Sequence, residues 1–306
     1  SQLEEIVKIA EITPELLQSD GWKNAEFRPY DVSLEAAMPI SGRSHPMQAL
    51  IERIRSIFLE MGFSELVDDY VQTAGWNMDA LFIPQDHPAR EMQDTFYLDN
   101  PRRIKLDSKL LRDWKAIHEH GGETQSTGWG GEFDPEISEK GLLRTHTTVN
   151  TIQYLAKNPD KSCRVFAIDR VFRKESIDKT HLPEFHQIEG IYVDEGVSFA
   201  NLKDLIYKIV KALFGNDVKL RFRPSYFPFT EPSAEVDILS ENGKWLEILG
   251  CGVVNPIVLE NCNINSDKYS GFAFGLGIER IAMLKFGVRD IRDFYKSNLD
   301  FLDQFK

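Results

Sequence analysis

Cysteine is scarce in this sequence, and its few copies do not pair. The chain has 306 residues and three cysteines, with no C-x-x-C spacing, at Cys163, Cys251 and Cys262. This pattern argues against a disulfide framework and a structural zinc site, and it suits a reducing compartment. No run of about 18 apolar residues is present, so no membrane segment is expected. The opening SQLEEIVKIAEI has early acids and lacks the basic-then-apolar layout of a secretory signal, so we predict a cytoplasmic protein.

Positive charge is also in short supply. The 36 lysines and arginines stand against 48 aspartates and glutamates, which gives a formal net charge of −12. A chain this acidic is a poor stand-alone binder of a polyanion such as RNA. If its function involves RNA, the sequence predicts a local basic patch or a partner that brings the RNA in.

Apolar residues recur at helical spacing in several stretches. Over 47–61 they fall on one helical face, and Gly62 follows as a natural C-terminal stop. A second helix is predicted over 107–120, and a third, long and amphipathic, over 199–213. A final short helix is predicted near residues 291–302.

Strand-like segments dominate the second half of the chain. Segments 164–176 and 184–196 are β-rich, and three further strand-like segments with Gly, Asn and Pro signals between them cover 218–227, 234–240 and 244–253. This order of elements favours an α+β fold, with helices flanking a largely antiparallel β-sheet.

Two short patterns carry residue types suited to nucleotide binding. In VFRKES, Arg173 at the end of a β-segment offers a bidentate fork to a phosphate, and Glu175 is predicted to share its strand face. An isolated pair of this kind is more often a surface ion pair. In GFAFGLGIER, small residues let the backbone approach a ligand, and Arg280 follows in a helix whose N-terminus suits phosphate. Tight packing explains such glycines equally well.

A third pattern, RPSYFPFTEPSAEVD, predicts an aromatic wall. Phe227 and Phe229 are two residues apart in an extended stretch and therefore point to the same side. A strand face in the core is the plainer interpretation of these rings. Glu231, between Thr230 and Pro232, occupies an unusual place for a merely solvated acid.

Together these patterns resemble a known family. R-x-E and G-x-G-x-E-R look like motifs 2 and 3 of class II aminoacyl-tRNA synthetases, and HPMQALIERIRSIFLEMGF resembles motif 1, the helix and strand of the dimer interface. Within that class, HPAREMQDTFYL, LLRTHTT, THLPEFHQIEG, RFRPSYFPFTEPSAEVD and GFAFGLGIER are similar to the phenylalanine α-subunit family. The resemblance runs from about residue 25 to the C-terminus. It implies a class II catalytic domain over 45–306, preceded by an N-terminal segment over 1–44.

The resemblance implies an ATP site made of five residues. Arg173 would hold the α-phosphate and Arg280 the γ-phosphate, which makes these two arginines the catalytic residues. Glu175 would read the adenine amino group, Phe185 would stack on the base, and His181 would approach the phosphate tail.

The resemblance also implies a phenylalanine site and a magnesium site. The ammonium group would be bound by Gln187 and Glu189, with His146 and Thr148 nearby. Phe227 and Phe229 would flank the phenyl ring edge-to-face, above a floor made by Ala273. Glu231 and Glu247 would hold Mg²⁺. Gln93 stands where the bacterial pattern has a tryptophan, so that wall is expected to be polar.

The resemblance as a whole implies the function of a phenylalanine–tRNA ligase α subunit. It would activate L-phenylalanine with ATP and transfer it to the 3′-terminal ribose of tRNA(Phe), working with a β subunit in an α₂β₂ assembly. The chemistry needs alignment and charge neutralisation rather than a protein nucleophile.

Three other functions remain open at this point. A metal hydrolase would draw on His87, His118, His120, His181 or His186, but no H-E-x-x-H pattern is present. A class II synthetase for phosphoserine would need a cationic pocket, whereas the Phe-Pro-Phe stretch favours an aromatic substrate. A synthetase-like paralogue with a binding or regulatory role is disfavoured by the intact pattern of Arg173, Glu175 and Arg280.

Overall fold

The chain divides into two units of unequal size, Ser1–Arg43 and Ser44–Lys306. The structure is a computed structural model, and it describes residues 8–29, 42–91, 94–240 and 243–305. In the described part of the first unit, helix α1 (Pro14–Gln18) follows Thr13, whose hydroxyl accepts the Leu16 N–H. A 3₁₀ turn over Gly21–Asn24 comes next, and Ile9 bridges Phe27 in parallel.

In the second unit, α2 (Pro46–Glu60) and α4 (Ser108–His120) begin at side-chain caps and end just before glycines with positive φ. The 47–61 stretch forms a helix that starts after His45, whose ring nitrogen accepts the Met47 N–H, and stops before Gly62 at a φ of 81°. The helices are α2 (Pro46–Glu60), α3 (Ala74–Asn77), α4 (Ser108–His120), α5 (Pro135–Ser138), α6 (Thr148–Lys157), α7 (Phe199–Phe214), α8 (Pro256–Asn261), α9 (Ile278–Phe286) and α10 (Leu299–Leu302).

Of the four helices predicted over 47–61, 107–120, 199–213 and 291–302, the first three are confirmed, as α2, α4 and α7, and the helix predicted to carry Arg280 is α9. The fourth, near 291–302, is instead broken into a 3₁₀ turn at Ile291–Phe294 and the short α10. Among the helices of the described residues, none is long and apolar enough to cross a membrane.

The strands are β1 (Ser64–Glu65), β2 (Val71–Thr73), β3 (Gly141–Leu143), β4 (Cys163–Phe172), β5 (Glu184–Glu195), β6 (Leu220–Phe227), β7 (Thr230–Leu239), β8 (Trp245–Val254) and β9 (Tyr269–Gly277). The main sheet of the described residues has seven of them, in the order β1-β4-β5-β9-β8-β7-β6. Only the short β1 pairs in parallel, with β4, and the other neighbours are antiparallel. A separate antiparallel pair joins β2 to β3. The predicted α+β fold with a largely antiparallel sheet is confirmed.

One predicted strand runs too far. β4 ends at Phe172, so Arg173 and Glu175 lie in the loop that follows it rather than on a shared strand face. The Arg173 N–H donates to the Pro183 carbonyl at 2.9 Å, and the Glu175 N–H donates to the Arg173 carbonyl at 2.8 Å. The first hydrogen bond continues the β4–β5 register by one residue, and the second is a turn contact that ends the strand before Glu175.

The apolar stripe of α2 lies in this chain's own core. Its Met47, Leu50, Ile54 and Phe58 side chains are all buried, and they pack into a cluster with residues of the sheet, α7 and α9. The motif 1 resemblance implied that this helix belongs to a dimer interface. Because the stripe is already covered within the chain, any such interface must use another face of α2.

Candidate active site

Two cavities meet along the strands β5, β8 and β9. The first has a volume of about 260 Å³ and the second about 320 Å³. Their shared lining residues are Arg173, Gln187, Glu247, Gly250 and Gly275. Two ligands bound here would therefore be direct neighbours.

Glycines on the central strands leave the space for these cavities. Gly275 of β9 pairs with Glu189 of β5 on one side and with Gly250 of β8 on the other. A Cβ atom on Gly275 would lie 2.8 Å from Glu189 Cγ, and one on Gly250 would lie 2.8 Å from Phe227 Cζ. Both distances are shorter than real Cβ contacts, so these positions require glycine while the neighbouring side chains keep their places.

The first cavity contains all five side chains predicted for ATP: Arg173, Glu175, His181, Phe185 and Arg280. The Arg173 guanidinium lies 5.3 Å from the Phe185 ring centroid, and its Nε donates to the Thr145 carbonyl at 3.1 Å. Arg280, in the first turn of α9, is exposed, and its Nη1 donates to the Glu247 carbonyl at 3.4 Å. Two guanidinium groups from different elements thus face one cavity, as binding of a polyphosphate requires.

A small loop holds His181 at the first cavity. The Asp178 carboxylate accepts the backbone N–H groups of Thr180 and His181 at 2.6 and 2.8 Å. It also lies 3.0 Å from the His181 Nδ1 atom. These hydrogen bonds, with the backbone N–H of Thr180 contributing most, hold the pKa of Asp178 well below its usual range. The loop is therefore ordered by its own acid before any ligand binds.

The second cavity contains all seven side chains predicted for phenylalanine. The rings of Phe227, at the end of β6, and Phe229, in the following turn, stack with centroids 5.9 Å apart and planes at 21°. Ala273 of β9 contributes a small side chain to the same cavity. The remaining four predicted residues in the lining are His146, Thr148, Gln187 and Glu189.

Polar groups gather around Glu189. The Thr148 hydroxyl donates to its Oε2, and the Gln187 amide donates to its Oε1 at 3.1 Å. Burial raises the pKa of Glu189 to about 7, against the opposing effects of the Thr148 hydrogen bond and the Arg173 charge. Among the described residues no lysine or arginine forms an ion pair with this carboxylate, although it lies in a site that disfavours an uncompensated charge.

Two further acceptors beside it lack donors. His146 bonds through Nε2 to the Asn77 carbonyl at 2.8 Å, and burial, assisted by the Arg173 charge, lowers its pKa to about 4. Its ring is therefore neutral at physiological pH. Within the described part of the chain, His146 Nδ1 and Gln187 Oε1 are buried without a hydrogen-bond partner. With Glu189 they suit a ligand group that has several N–H donors, such as an ammonium.

The two carboxylates predicted to hold magnesium are not brought together. Glu247 is exposed where the cavities meet, and its carboxylate makes no ion pair within the described residues. Glu231 is exposed at the start of β7 and lines neither cavity. Glu247 pairs with Asp237, six residues along β7 from Glu231, which is roughly 20 Å at the usual rise per residue. Glu231 thus lies at a hairpin end, away from the cavity walls, and its role as a magnesium ligand stays a prediction.

The histidines of the alternative metal site do not converge. His118 is buried and bonds to the Asp79 carbonyl at 3.0 Å, whereas His181 borders the first cavity. Across the ranges that the structure describes, no three His, Cys, Asp or Glu side chains form a metal-binding group. Gln93 lies outside the described residues.

Sequence patterns missed several residues that line the cavities. Glu279 and Ile291 border the first cavity, while Thr230, Glu235 and Cys251 border the second. Most of them stand inside the motifs already singled out, so their position within a motif is the sequence signal that could have identified them as cavity residues. Glu235 is engaged by Arg223 and Ser225 and is therefore not a free carboxylate.

Curated relatives of this chain are phenylalanine–tRNA ligase alpha subunits. The one from Archaeoglobus fulgidus is 48% identical over 301 residues, which are 98% of this chain and 62% of that protein. The one from Methanopyrus kandleri is 45% identical over 293 residues, which are 95% of this chain and 55% of that protein. The chain thus spans less than two thirds of the length of these relatives.

The fold has a counterpart among solved structures. Pyrrolysyl-tRNA synthetase from Desulfitobacterium hafniense superposes with a TM-score of 0.56 at 19% identity, over 84% of this chain and 75% of that chain. Residues 29–305 match the family described as tRNA synthetases class II core domain (F). Since that match covers most of the chain, including the residues around both cavities, this chain belongs to the family of class II tRNA synthetase core domains.

Proposed function

We propose that this chain is the catalytic part of a phenylalanine–tRNA ligase α subunit, with residues 45–306 as its catalytic domain. It joins L-phenylalanine to ATP as an adenylate and transfers the amino acid to the 3′-terminal ribose of tRNA(Phe). The observation that carries the proposal is the shared wall of the two cavities. Arg173, Gln187 and Glu247 border both, so an amino-acid carboxylate in one cavity lies next to a phosphate in the other.

The second cavity takes phenylalanine with its ammonium group toward Glu189. The three N–H donors of that group match the Glu189 carboxylate and the unpaired acceptors of His146 and Gln187. The stacked rings of Phe227 and Phe229 take the phenyl ring. An aromatic amino acid satisfies both ends of the cavity at once.

Activation then needs no protein nucleophile. A carboxylate oxygen of phenylalanine bonds to the α-phosphorus of ATP, and the bond from that phosphorus to the pyrophosphate oxygen breaks. Arg173 neutralises charge that develops on the α-phosphate, while Arg280 holds the γ-phosphate. In the second step a ribose hydroxyl of the tRNA attacks the carbonyl carbon, AMP leaves, and the hydroxyl proton is released.

Magnesium is part of the proposal, and Glu247 is the residue that fits it. A magnesium ion bound with a nucleotide takes one or two carboxylates, with phosphate oxygens and waters completing its shell. The exposed Glu247 carboxylate, where the cavities meet, suits that arrangement. The ion would supply charge neutralisation on the polyphosphate.

The net charge of the chain and the names of its relatives both support a partner subunit. We propose that a β subunit joins this chain in an α₂β₂ assembly in the cytoplasm and brings in much of the tRNA contact. A net charge of −12 makes this chain a poor binder of RNA by itself. The relatives named alpha subunits support the need for a second subunit.

The direct test is amino-acid-dependent pyrophosphate–ATP exchange, measured with each of the twenty amino acids, with and without a β subunit. We expect phenylalanine to support the fastest exchange. Equal or faster exchange with a non-aromatic amino acid would contradict the assigned substrate. No exchange with any amino acid, in the presence of β, would contradict the proposed activity.

Phenylalanine binding should depend on pH through Glu189. Its pKa of about 7 means that the carboxylate is protonated below neutrality and cannot pair with an ammonium. Between pH 7.5 and pH 5.5 we expect the affinity to fall about 20- to 30-fold, as the ionised fraction falls. His146, with its pKa of about 4, stays neutral throughout this range. Calorimetric titration of phenylalanine at several pH values measures the effect.

Glu189→Gln is the matched control for this pH dependence. The variant should bind phenylalanine weakly at every pH in the range, because the amide has no charge to lose. A wild-type affinity that is flat between pH 5.5 and 7.5 would show that Glu189 does not bind the ammonium.

Ala273 should set the size of the second cavity. Ala273→Val adds two methyl groups beside the ring and should lower kcat/KM for phenylalanine about 5- to 150-fold, the equivalent of roughly 1–3 kcal/mol of overpacking. Ala273→Gly should enlarge the cavity and admit para-chlorophenylalanine. Exchange assays with both amino acids measure the change. Ala200→Val, at an exposed position of α7, is the control and should change neither value. If both Ala273 variants keep the wild-type ratio of kcat/KM for phenylalanine to kcat/KM for para-chlorophenylalanine, Ala273 does not line the amino-acid site.

A further inference from the structure

Glu279 is a buried carboxylate whose hydrogen-bond partners are all neutral groups or histidine. It is 2% exposed and lies in the first turn of α9, directly before Arg280. It accepts the backbone N–H of His186 at 2.8 and 3.0 Å, lies 2.8 Å from His186 Nδ1, and accepts the Tyr295 hydroxyl. Among the described residues, no lysine or arginine pairs with it. Burying such an acid is costly unless its hydrogen bonds are made.

The contact with His186 supplies a backbone hydrogen bond at the end of β5 where the pairing with β9 stops. β9 ends at Gly277, opposite Gln187, and the next residue, Ile278, has already entered α9. The Glu279 carboxylate therefore receives the His186 N–H that a longer β9 would have bonded. Side chains alternate along a strand, so Phe185 and Gln187 point to the cavities while His186 points away from them. Glu279 thus holds the edge of β5 through the backbone N–H and the ring of His186.

Tyr295 anchors the same carboxylate from a distant part of the chain. It directly follows the 3₁₀ turn Ile291–Phe294, and its hydroxyl lies 3.3 Å from His186 Nδ1. The Tyr295 residue is 45% exposed, but burial of its hydroxyl against Glu279 and the charge of that carboxylate raise its pKa, so the hydroxyl keeps its proton and remains a donor. A second hydrogen bond links this turn to the loop that holds His181, because the Ile291 N–H donates to the Lys179 carbonyl at 2.9 Å.

We propose that Glu279, held by Tyr295, is a positioning residue for ATP. One carboxylate fixes the strand that carries Phe185 and the helix that carries Arg280, two of the groups that face the first cavity. The segment after α9 thereby sets the affinity for the nucleotide. This inference rests on the proposed function, because it takes the first cavity to be the ATP site.

The test is direct binding of ATP and of phenylalanine to Tyr295→Phe, measured separately by calorimetry on the whole chain. Loss of the hydroxyl removes a hydrogen bond to a charged group and loosens the placement of Phe185 and Arg280. We expect the Kd for ATP to rise about tenfold, the Kd for phenylalanine to stay within twofold, and the Tm to stay within a few degrees. A purely structural role would move both Kd values together or lower the Tm without this split.

A second variant tests whether Tyr295 acts through Glu279. Glu279→Gln keeps an acceptor for the His186 N–H but removes the charge that attracts the other donors. When Glu279→Gln is already present, adding Tyr295→Phe should raise the Kd for ATP by less than a further twofold, because the effects of two coupled residues on binding do not add. Tyr207→Phe, on the partly exposed face of α7, is the matched control and should leave ATP binding unchanged.

The outcomes separate this inference from the proposed function. Wild-type binding of ATP with equal binding by Tyr295→Phe would overturn the positioning role alone. A full tenfold effect of Tyr295→Phe in the Glu279→Gln background would also overturn it. Failure of the wild-type chain to bind ATP would overturn the proposed function together with this inference.

Discussion

Replacing Arg173 by alanine is expected to lower the rate of phenylalanine-dependent pyrophosphate exchange about 100- to 1,000-fold. Arg173 is the cationic side chain that lines both cavities, and its guanidinium is held by the Thr145 carbonyl and the Phe185 ring. Loss of a preorganised donor to charge that develops in a transition state has an effect of about this size. The loss should appear mainly in kcat.

A lysine variant and a distant arginine make this prediction specific. Arg173→Lys keeps the charge but loses the planar fork, so we expect it to recover only a small part of the rate. Arg103→Ala removes an arginine that pairs with Glu136 and Glu139 and lines neither cavity, and it should leave exchange within twofold of wild type. An Arg173→Ala protein that keeps more than a tenth of the wild-type rate would place the reacting phosphate elsewhere.

Replacing Phe58 by alanine should lower the free energy of unfolding by about 3–5 kcal/mol, the usual cost of truncating a buried phenylalanine. Its ring is fully buried and stacks on Phe166 at 5.2 Å and Phe274 at 5.5 Å. The alanine variant would leave a cavity between α2 and the sheet that these rings cannot fill. Urea unfolding followed by circular dichroism measures the difference.

The adjacent Leu59 provides the control on the same helix. Its side chain is 50% exposed, so Leu59→Ala should change the free energy of unfolding by about 0.5 kcal/mol or less. If Phe58→Ala costs no more than Leu59→Ala, the α2 stripe is not part of the core. In that case the stripe would be available to another chain.

Much of the fold could be predicted from local patterns. The helix over 107–120 has Asp107 as its N-cap and Gly121 as its stop, and both are visible in the sequence. Other elements depend on partners far away in the chain. The two-residue β1 pairs with Val165 and Phe166, about a hundred positions later, and nothing in its own composition announces that pairing.

The residues of the candidate site likewise divide into those that local patterns reveal and those that depend on distant parts of the chain. Residues inside dense motifs, such as Arg280 and Glu189, were correctly expected to face a cavity, although their roles stay predictions. Glu231 also stands in a dense motif, but only the strand register shows how far it lies from Glu247. The Glu279–Tyr295 contact joins residues sixteen apart across a helix and a turn, which periodicity does not reveal.

The strand order has a consequence for how the protein is made. β9 lies at the centre of the sheet, between β5 and β8, yet it is the last strand in the chain. During synthesis the ribosome releases β5 and β8 before it releases their common neighbour, so each waits with an unpaired edge that invites aggregation. Both cavities have β9 in their walls. A nascent chain therefore has no complete ligand site to stabilise it until β9 has been translated.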